Sequence, residues 1–206
     1  GLVGANGVGK STLLRILVGL NTGFQGDVMV NNIPLEKKNL KTIRKNVGYV
    51  FQDADSQLFM STVFDDVAFA PRNYGMSEAE VNEKTMEALK VVHIEQLKDK
   101  QIYKLSGGEK KLASIATILS TEPDVILMDE PSVALDPKNR RNLINILNQL
   151  NQAKIIASHD LNMIMDTCER TILLSDGKVI KDGNTKEILL DKELMEESGL
   201  ELPLGY

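Results

Sequence analysis

Gly4-Ala5-Asn6-Gly7-Val8-Gly9-Lys10-Ser11-Thr12 follows two apolar residues, Leu2 and Val3, and leads into Leu13, Leu14, Leu17 and Val18, spaced in helical period up to Gly19. A glycine-rich loop between a strand and a helix can curl so that its N–H groups point inward. The helix behind it adds the positive end of its dipole. Such a cradle takes phosphate. Lys10 is placed to bridge the β- and γ-phosphates of a nucleotide and Ser11 to bind magnesium. Asn6, Gly7, Gly9 and Thr12 complete the candidate nucleotide-binding set. The fold expected around this loop is α/β, a phosphate-loop NTPase core.

Two more runs bear on chemistry. Val125-Ile126-Leu127-Met128 is apolar and ends in Asp129-Glu130. Asp129 suits a magnesium contact, direct or through water, and Glu130 the positioning of an attacking water. Leu105-Ser106-Gly107-Gly108-Glu109 opens a helix whose N-terminus, with Ser106 and the N–H groups of Gly107 and Gly108, makes a second anion site. A single nucleotide site has no use for that second cradle, so it implies a second subunit.

The remaining pattern is α/β at both ends and helical in the middle. Asp27–Val30 reads as a strand and Val47–Phe51 as a buried strand ending at Gln52. Thr62 begins a short helix through Phe69, and Ser77-Glu78-Ala79-Glu80 is a capping-box start for a helix to about Val92. Asp136 caps a helix beginning at Pro137, and Asp176-Gly177 is a hairpin turn signal. The expected division is a catalytic core over 1–60 and 122–185, a helical subdomain over 61–121 and a tail over 186–206. The chain opens directly on the phosphate loop without an initiator methionine, and the natural protein is expected to extend further toward the N-terminus.

In the order and spacing of these motifs the chain resembles the ATPase subunit of an ATP-binding-cassette (ABC) transporter. The resemblance covers nearly all 206 residues. It implies that Gln52 is the family's Q-loop residue, sensing magnesium and water, that Val133-Ala134-Leu135-Asp136 is the D-loop, and that His159 is the switch histidine contacting the γ-phosphate. It further implies an ABC-type core with a small antiparallel β portion and the inserted helices, with ATP and Mg2+ as cofactors. ATP would lie between the phosphate loop of one subunit and Ser106–Gly108 of another, identical or paralogous. Catalytic roles fall to Glu130, His159 and Gln52; metal contacts fall to Ser11, Gln52 and Asp129. Phe51–Phe59, Thr62-Val63, Asp65–Phe69 and Ser198-Gly199-Leu200-Glu201-Leu202-Pro203 are similar to the energy-coupling-factor branch, whose ATPases drive uptake of cobalt, nickel or vitamins. Separate transmembrane subunits would be partners, and the chain would sit peripherally on the cytoplasmic face of the cell membrane. Leu58, Phe59, Met60, Val63, Phe64 and Phe69 are the candidates for lining a groove that receives a helix of the membrane partner.

Two departures stand out. Glu109 replaces the family's usual Gln and is expected to face the partner's ATP. At about 6–8 Å and an effective dielectric of about 20 that repulsion is roughly 2 kcal/mol. Val133 stands where a small polar residue is common. The family's adenine-stacking aromatic lies upstream of this chain.

Bulk properties fit. The net charge is −5, so no basic footprint for nucleic acid is present, and no apolar run approaches the ~20 residues of a membrane span. Cys168 is the only cysteine, which excludes an intrachain disulfide and fits a reducing cytosol. Cys168 is read as a small buried residue, and Lys110-Lys111 as a solvated helix face. The rival reading is a soluble ABC ATPase acting on ribosomes or DNA. The expected tandem cassettes or long coiled-coil insertion of that class are not in this sequence.

Overall fold

The computed structural model describes residues 1–205. Along the chain the elements are β1 (Leu2–Gly4), α1 (Lys10–Leu17), β2 (Met29–Val30), β3 (Ile33–Pro34), α2 (Leu40–Asn46), β4 (Val47–Val50), α3 (Val63–Asn73), α4 (Glu78–Val91), α5 (Gly107–Leu119), β5 (Val125–Asp129), α6 (Pro137–Gln149), β6 (Ala153–Ala157), α7 (Leu161–Thr167), β7 (Arg170–Ser175), β8 (Lys178–Asn184), α8 (Thr185–Leu189) and α9 (Lys192–Glu197). Two compact units share them. One comprises Gly1–Arg44, Leu127–Ser132 and the chain from Lys154 onward; the other comprises Lys45–Ile126 and Val133–Ala153.

In the first unit the strand order is β5-β6-β1-β7-β8. β1 pairs in parallel with β6 and β7, with Leu2 opposite Ala157 and Ile172. A central parallel strand is covered on both faces, and Leu2, Val3, Ile156 and Leu173 are accordingly buried. Each such aliphatic side chain stabilises by about 1.5–3 kcal/mol through burial. β7 turns into antiparallel β8 at Asp176-Gly177, whose φ values of 49° and 71° are those of a mirror-image hairpin turn. β2 and β3 form the small antiparallel pair. α1 stops at Leu17, just short of the expected end at Gly19. Gly19 takes φ 69°, and Leu20 N–H donates to Arg15 O at 2.8 Å, closing the helix.

In the second unit β4 neighbours the start of β5, and Asp124 N–H donates to Asn46 O at 2.9 Å. α3, α4 and α5 pack through Val63, Val67, Val81, Leu89, Leu112 and Ile115, all buried. Thr62 caps α3 rather than beginning it, accepting from Asp65 N–H. The helix runs past Phe69 to Asn73, carrying Pro71 on its buried side. Ser77 and Glu80 form the expected capping box. Asp136 caps α6, accepting from the N–H groups of Lys138 and Asn139 at 2.9 Å each. No described helix is long and apolar enough to cross a membrane.

Candidate functional site

The phosphate loop is built by backbone geometry. β1 ends at Gly4 and α1 starts at Lys10, so Ala5–Gly9 must reverse direction within five residues. Gly7 and Gly9 do this at φ 81° and 109°, a region that side-chain-bearing residues rarely enter. Gly9 also occupies the N-cap of α1 and offers no side-chain cap, which leaves the first N–H groups of the helix for an anion. Asn6, Gly7 and Thr12 are exposed around the loop. Lys10 is 6% exposed, and its ammonium arches back to Gly4 O at 2.7 Å and Ala5 O at 3.3 Å.

Beside the loop, Ser11 Oγ donates to Asp129 Oδ1 at 2.8 Å, with Asp129 buried at the end of β5. A hydroxyl and a carboxylate are hard oxygen donors of the kind magnesium takes, one or two from protein and the rest from phosphate and water. Among the described residues there is no cluster of three or more His, Cys, Asp or Glu able to cage a metal. By its donor chemistry the Ser11–Asp129 pair fits an ion completed by a nucleotide.

Glu130 comes next, with backbone φ of 46° and N–H donated to Ala157 O at 2.8 Å. That left-handed conformation swings its side chain across to the segment after β6. Its Oε2 accepts from Ser158 Oγ at 3.0 Å and from His159 N–H at 3.1 Å, and lies 2.8 Å from His159 Nδ1. Glu130 is buried, while the His159 side chain is 58% exposed. Lys10, Ser11, Asp129, Glu130 and His159 are thus gathered at one end of the first unit. Ser158 was not among the expected residues; its only signal was a hydroxyl between a buried strand and His159.

Gln52 and Ser106–Gly108 belong to the second unit. Gln52 is exposed just after β4, in a backbone segment held by α5. Lys111 Nζ donates to Phe51 O at 2.9 Å and Gln52 O at 2.7 Å. Gln57 accepts from Phe51 N–H at 3.1 Å and donates to Ser114 O at 2.7 Å and Thr117 Oγ1 at 2.8 Å. The expectation that Lys111 is solvated is corrected: it is 3% exposed. α5 is buried nearly all round, so a lysine there must find partners. Lys110 pairs with Asp55 at 2.6 Å instead of standing alone.

Ser106 is the N-cap of α5, followed by exposed Gly107 and buried Gly108; a Cβ on Gly108 would stand 2.7 Å from the Asn139 side chain. Glu109, expected to face a partner's phosphates, is engaged within its own chain. Its Oε2 accepts from Ser106 N–H at 2.7 Å, Ser106 Oγ accepts from Glu109 N–H, and Lys100 Nζ lies 3.1 Å from both carboxylate oxygens. The Ser106 N–H, then the Lys100 ammonium, hold the Glu109 carboxyl below the ordinary carboxylate range against partial burial.

Of the apolar set after Gln52, Leu58 and Val63 are core residues, whereas Phe59 and Phe69 are exposed and meet edge to face at 4.8 Å. Asp66, buried in α3, accepts from Phe59 and Met60 N–H and so fixes this segment. Cys168 is half-buried rather than buried.

A protein-family model described as "ABC transporter" matches residues 1–133. An ABC transporter ATP-binding protein of Geobacter sulfurreducens is 49% identical over 204 residues, covering 99% of this chain and 82% of the relative. The energy-coupling factor transporter ATP-binding protein EcfA of Carboxydothermus hydrogenoformans is 42% identical over 206 residues, covering 98% and 76%. Among solved structures, cbiO1 of Clostridium perfringens, part of the ABC transporter complex cbiONQ, superposes with a TM-score of 0.84 at 37% identity, covering 95% of this chain and 80% of that one. The dimeric cassette MJ0796, bound to ADP and Pi, gives 0.79 at 30% identity, covering 89% and 84%.

Proposed function

The chain belongs to the ABC transporter family, and from that premise we propose that it is the ATP-binding and ATP-hydrolysing subunit of an energy-coupling-factor uptake transporter. The observation that carries the reading is the gathering of Lys10, the Ser11–Asp129 pair and the Glu130–His159 pair at the phosphate loop. The loop N–H groups, with Asn6, Gly7, Gly9, Ser11 and Thr12, hold the phosphates, and Lys10 spans the β- and γ-groups. Ser11, Asp129 and Gln52 would hold Mg2+, which would supply positive charge against the oxygens of the transferred group. Glu130 orients the attacking water and His159 contacts the γ-phosphate. Ser106–Gly108 of a second ATPase subunit, identical or paralogous, closes over the same nucleotide. The dimeric, ADP- and Pi-bound cassette among its structural neighbours supports that arrangement.

Separate transmembrane subunits carry the cargo, here cobalt, nickel or a vitamin, and the ATPase lies peripherally on the cytoplasmic face of the cell membrane. The likeness to EcfA and to cbiO1 supports this branch over a soluble ABC ATPase acting on ribosomes or DNA, as does a net charge of −5. Residues 61–121 act as the helical subdomain between core segments 1–60 and 122–185, with 186–206 as tail.

Glu130→Gln tests the reading. Water positioning is lost while phosphate contacts stay, so ATP binding persists and turnover falls about 10²- to 10⁴-fold. The variant accumulates as an ATP-bound dimer on size-exclusion chromatography. Wild-type turnover by the variant refutes it.

A further inference from the structure

We propose that Ser158 is a positioning residue for hydrolysis, acting through Glu130; the proposal rests on the ATPase reading above. Ser158 is wholly buried, between β6 and His159. Its Oγ lies 3.0 Å from Glu130 Oε2 and 3.1 Å from Asp160 N. A hydroxyl has one proton to give. The Asp160 N–H can only donate, so it takes a lone pair of Ser158 Oγ. An ionised carboxylate can only accept, so the Ser158 proton goes to Glu130 Oε2.

Among the described residues, the three contacts to the Glu130 carboxylate fall on Oε2, and two of them come from His159. His159 is largely exposed, and its ring leaves Glu130 if it turns to a γ-phosphate. Ser158 has no such second role. Its side chain is fixed by the Asp160 N–H, and Asp160 in turn caps α7 by accepting from Met163 N–H at 2.9 Å. Ser158 therefore keeps Oε2 anchored when the histidine moves, and Oε1 stays aimed for the water. Glu130 needs such an anchor, because a residue at φ 46° is not held in place by ordinary strand geometry.

The experiment compares wild type, Ser158→Ala, Glu130→Gln and the double variant in the assembled transporter, with single-turnover hydrolysis, KM for ATP, nucleotide affinity and thermal melting. One hydrogen bond to a charged acceptor sets the expected scale. Ser158→Ala lowers kcat about tenfold, leaves KM and ATP affinity within about twofold, and adds less than about twofold to the loss already seen in Glu130→Gln. Ser158→Thr, which keeps the hydroxyl, turns over faster than Ser158→Ala even if its extra methyl lowers the melting temperature. A Ser158→Ala rate within about twofold of wild type overturns the proposal. So does a Ser158→Ala loss of the same factor in both backgrounds, which is the signature of general destabilisation. If Glu130→Gln itself turns over normally, the ATPase reading fails instead, so the two failures are distinguishable.

Discussion

Glu109 is where charge and geometry pull apart, and its removal has a calculable cost. Glu109→Ala deletes the acceptor for Ser106 N–H and the ion pair with Lys100. A lost helix-end cap costs about 1 kcal/mol. The pair is partly solvated, with Lys100 33% and Glu109 29% exposed, so the range for screened surface pairs applies, about 0.2–1 kcal/mol. The sum is about 1.5 kcal/mol, or about 3–6 °C in melting temperature for a chain of this length. Glu109→Gln keeps a neutral acceptor for Ser106 and loses only the pair, about 0.5 kcal/mol. Because the folded-state pKa of Glu109 lies below its reference of 4.5, its stabilisation is complete above that pH. It is lost as pH falls through the lower folded value, so the variants and wild type converge in melting temperature in acid. Scanning calorimetry of both variants, Lys100→Ala and the double variant closes the cycle. In the assembled complex, Glu109→Gln leaves ATP turnover within about twofold. A several-fold gain in turnover, or a higher melting temperature for Glu109→Gln, refutes the role of the carboxylate as a partner of Ser106 and Lys100 and restores the repulsion expected from sequence.

Lys10→Ala removes the charge that the proposed function assigns to the γ-phosphate, and steady-state turnover falls about 10²- to 10³-fold with weaker nucleotide binding by titration; near-normal turnover refutes the phosphate-loop assignment. Phe59→Glu or Met60→Glu charges the exposed segment fixed by Asp66. Either change weakens capture of the membrane subunit about 30-fold or more in pull-down while isolated ATP binding is unchanged, the scale of a lost interface hot spot. Undiminished capture by both variants places the docking surface elsewhere.

The strands and the phosphate loop were legible because their signals are local. Val125–Asp129 and the Asp176-Gly177 turn announce themselves by apolar continuity and turn chemistry, and both stand within a residue of expectation. What escaped was weaker in local pattern. α2 (Leu40–Asn46) has a single buried residue, Ile43, in a run rich in Lys and Arg, so no apolar stripe marks it. α3 outlasts its expected end because burial of Val67, Ala68 and Pro71 on one side outweighs the loss of one backbone donor.

For the site, residue types and spacing pointed to Lys10, Ser11, Asp129 and Glu130, and the family resemblance to His159, but not to how they are held. Ser158, Gln57 and Lys111 act across 28, 57 and 59 positions of sequence, and nothing local marks such pairings. Lys111 had one available signal. Leu112, Ala113, Ser114, Ile115 and Ala116 follow it, and a helix apolar on every side is buried on every side. A lysine entering such a helix either meets acceptors or costs several kcal/mol. Here the acceptors are the carbonyls of Phe51 and Gln52. The glutamate that departs from the family pattern follows the same logic. Placed at the third position after Ser106, it satisfies the N-cap N–H that a helix start leaves open, and Lys100 offsets its charge. α5 thus presents Ser106–Gly108 at its start while its next two turns carry Lys111, Ser114 and Thr117 against the Gln52 segment. A displacement of the helix cannot leave Gln52's backbone behind without breaking a charge-assisted hydrogen bond worth about 1.5–3 kcal/mol.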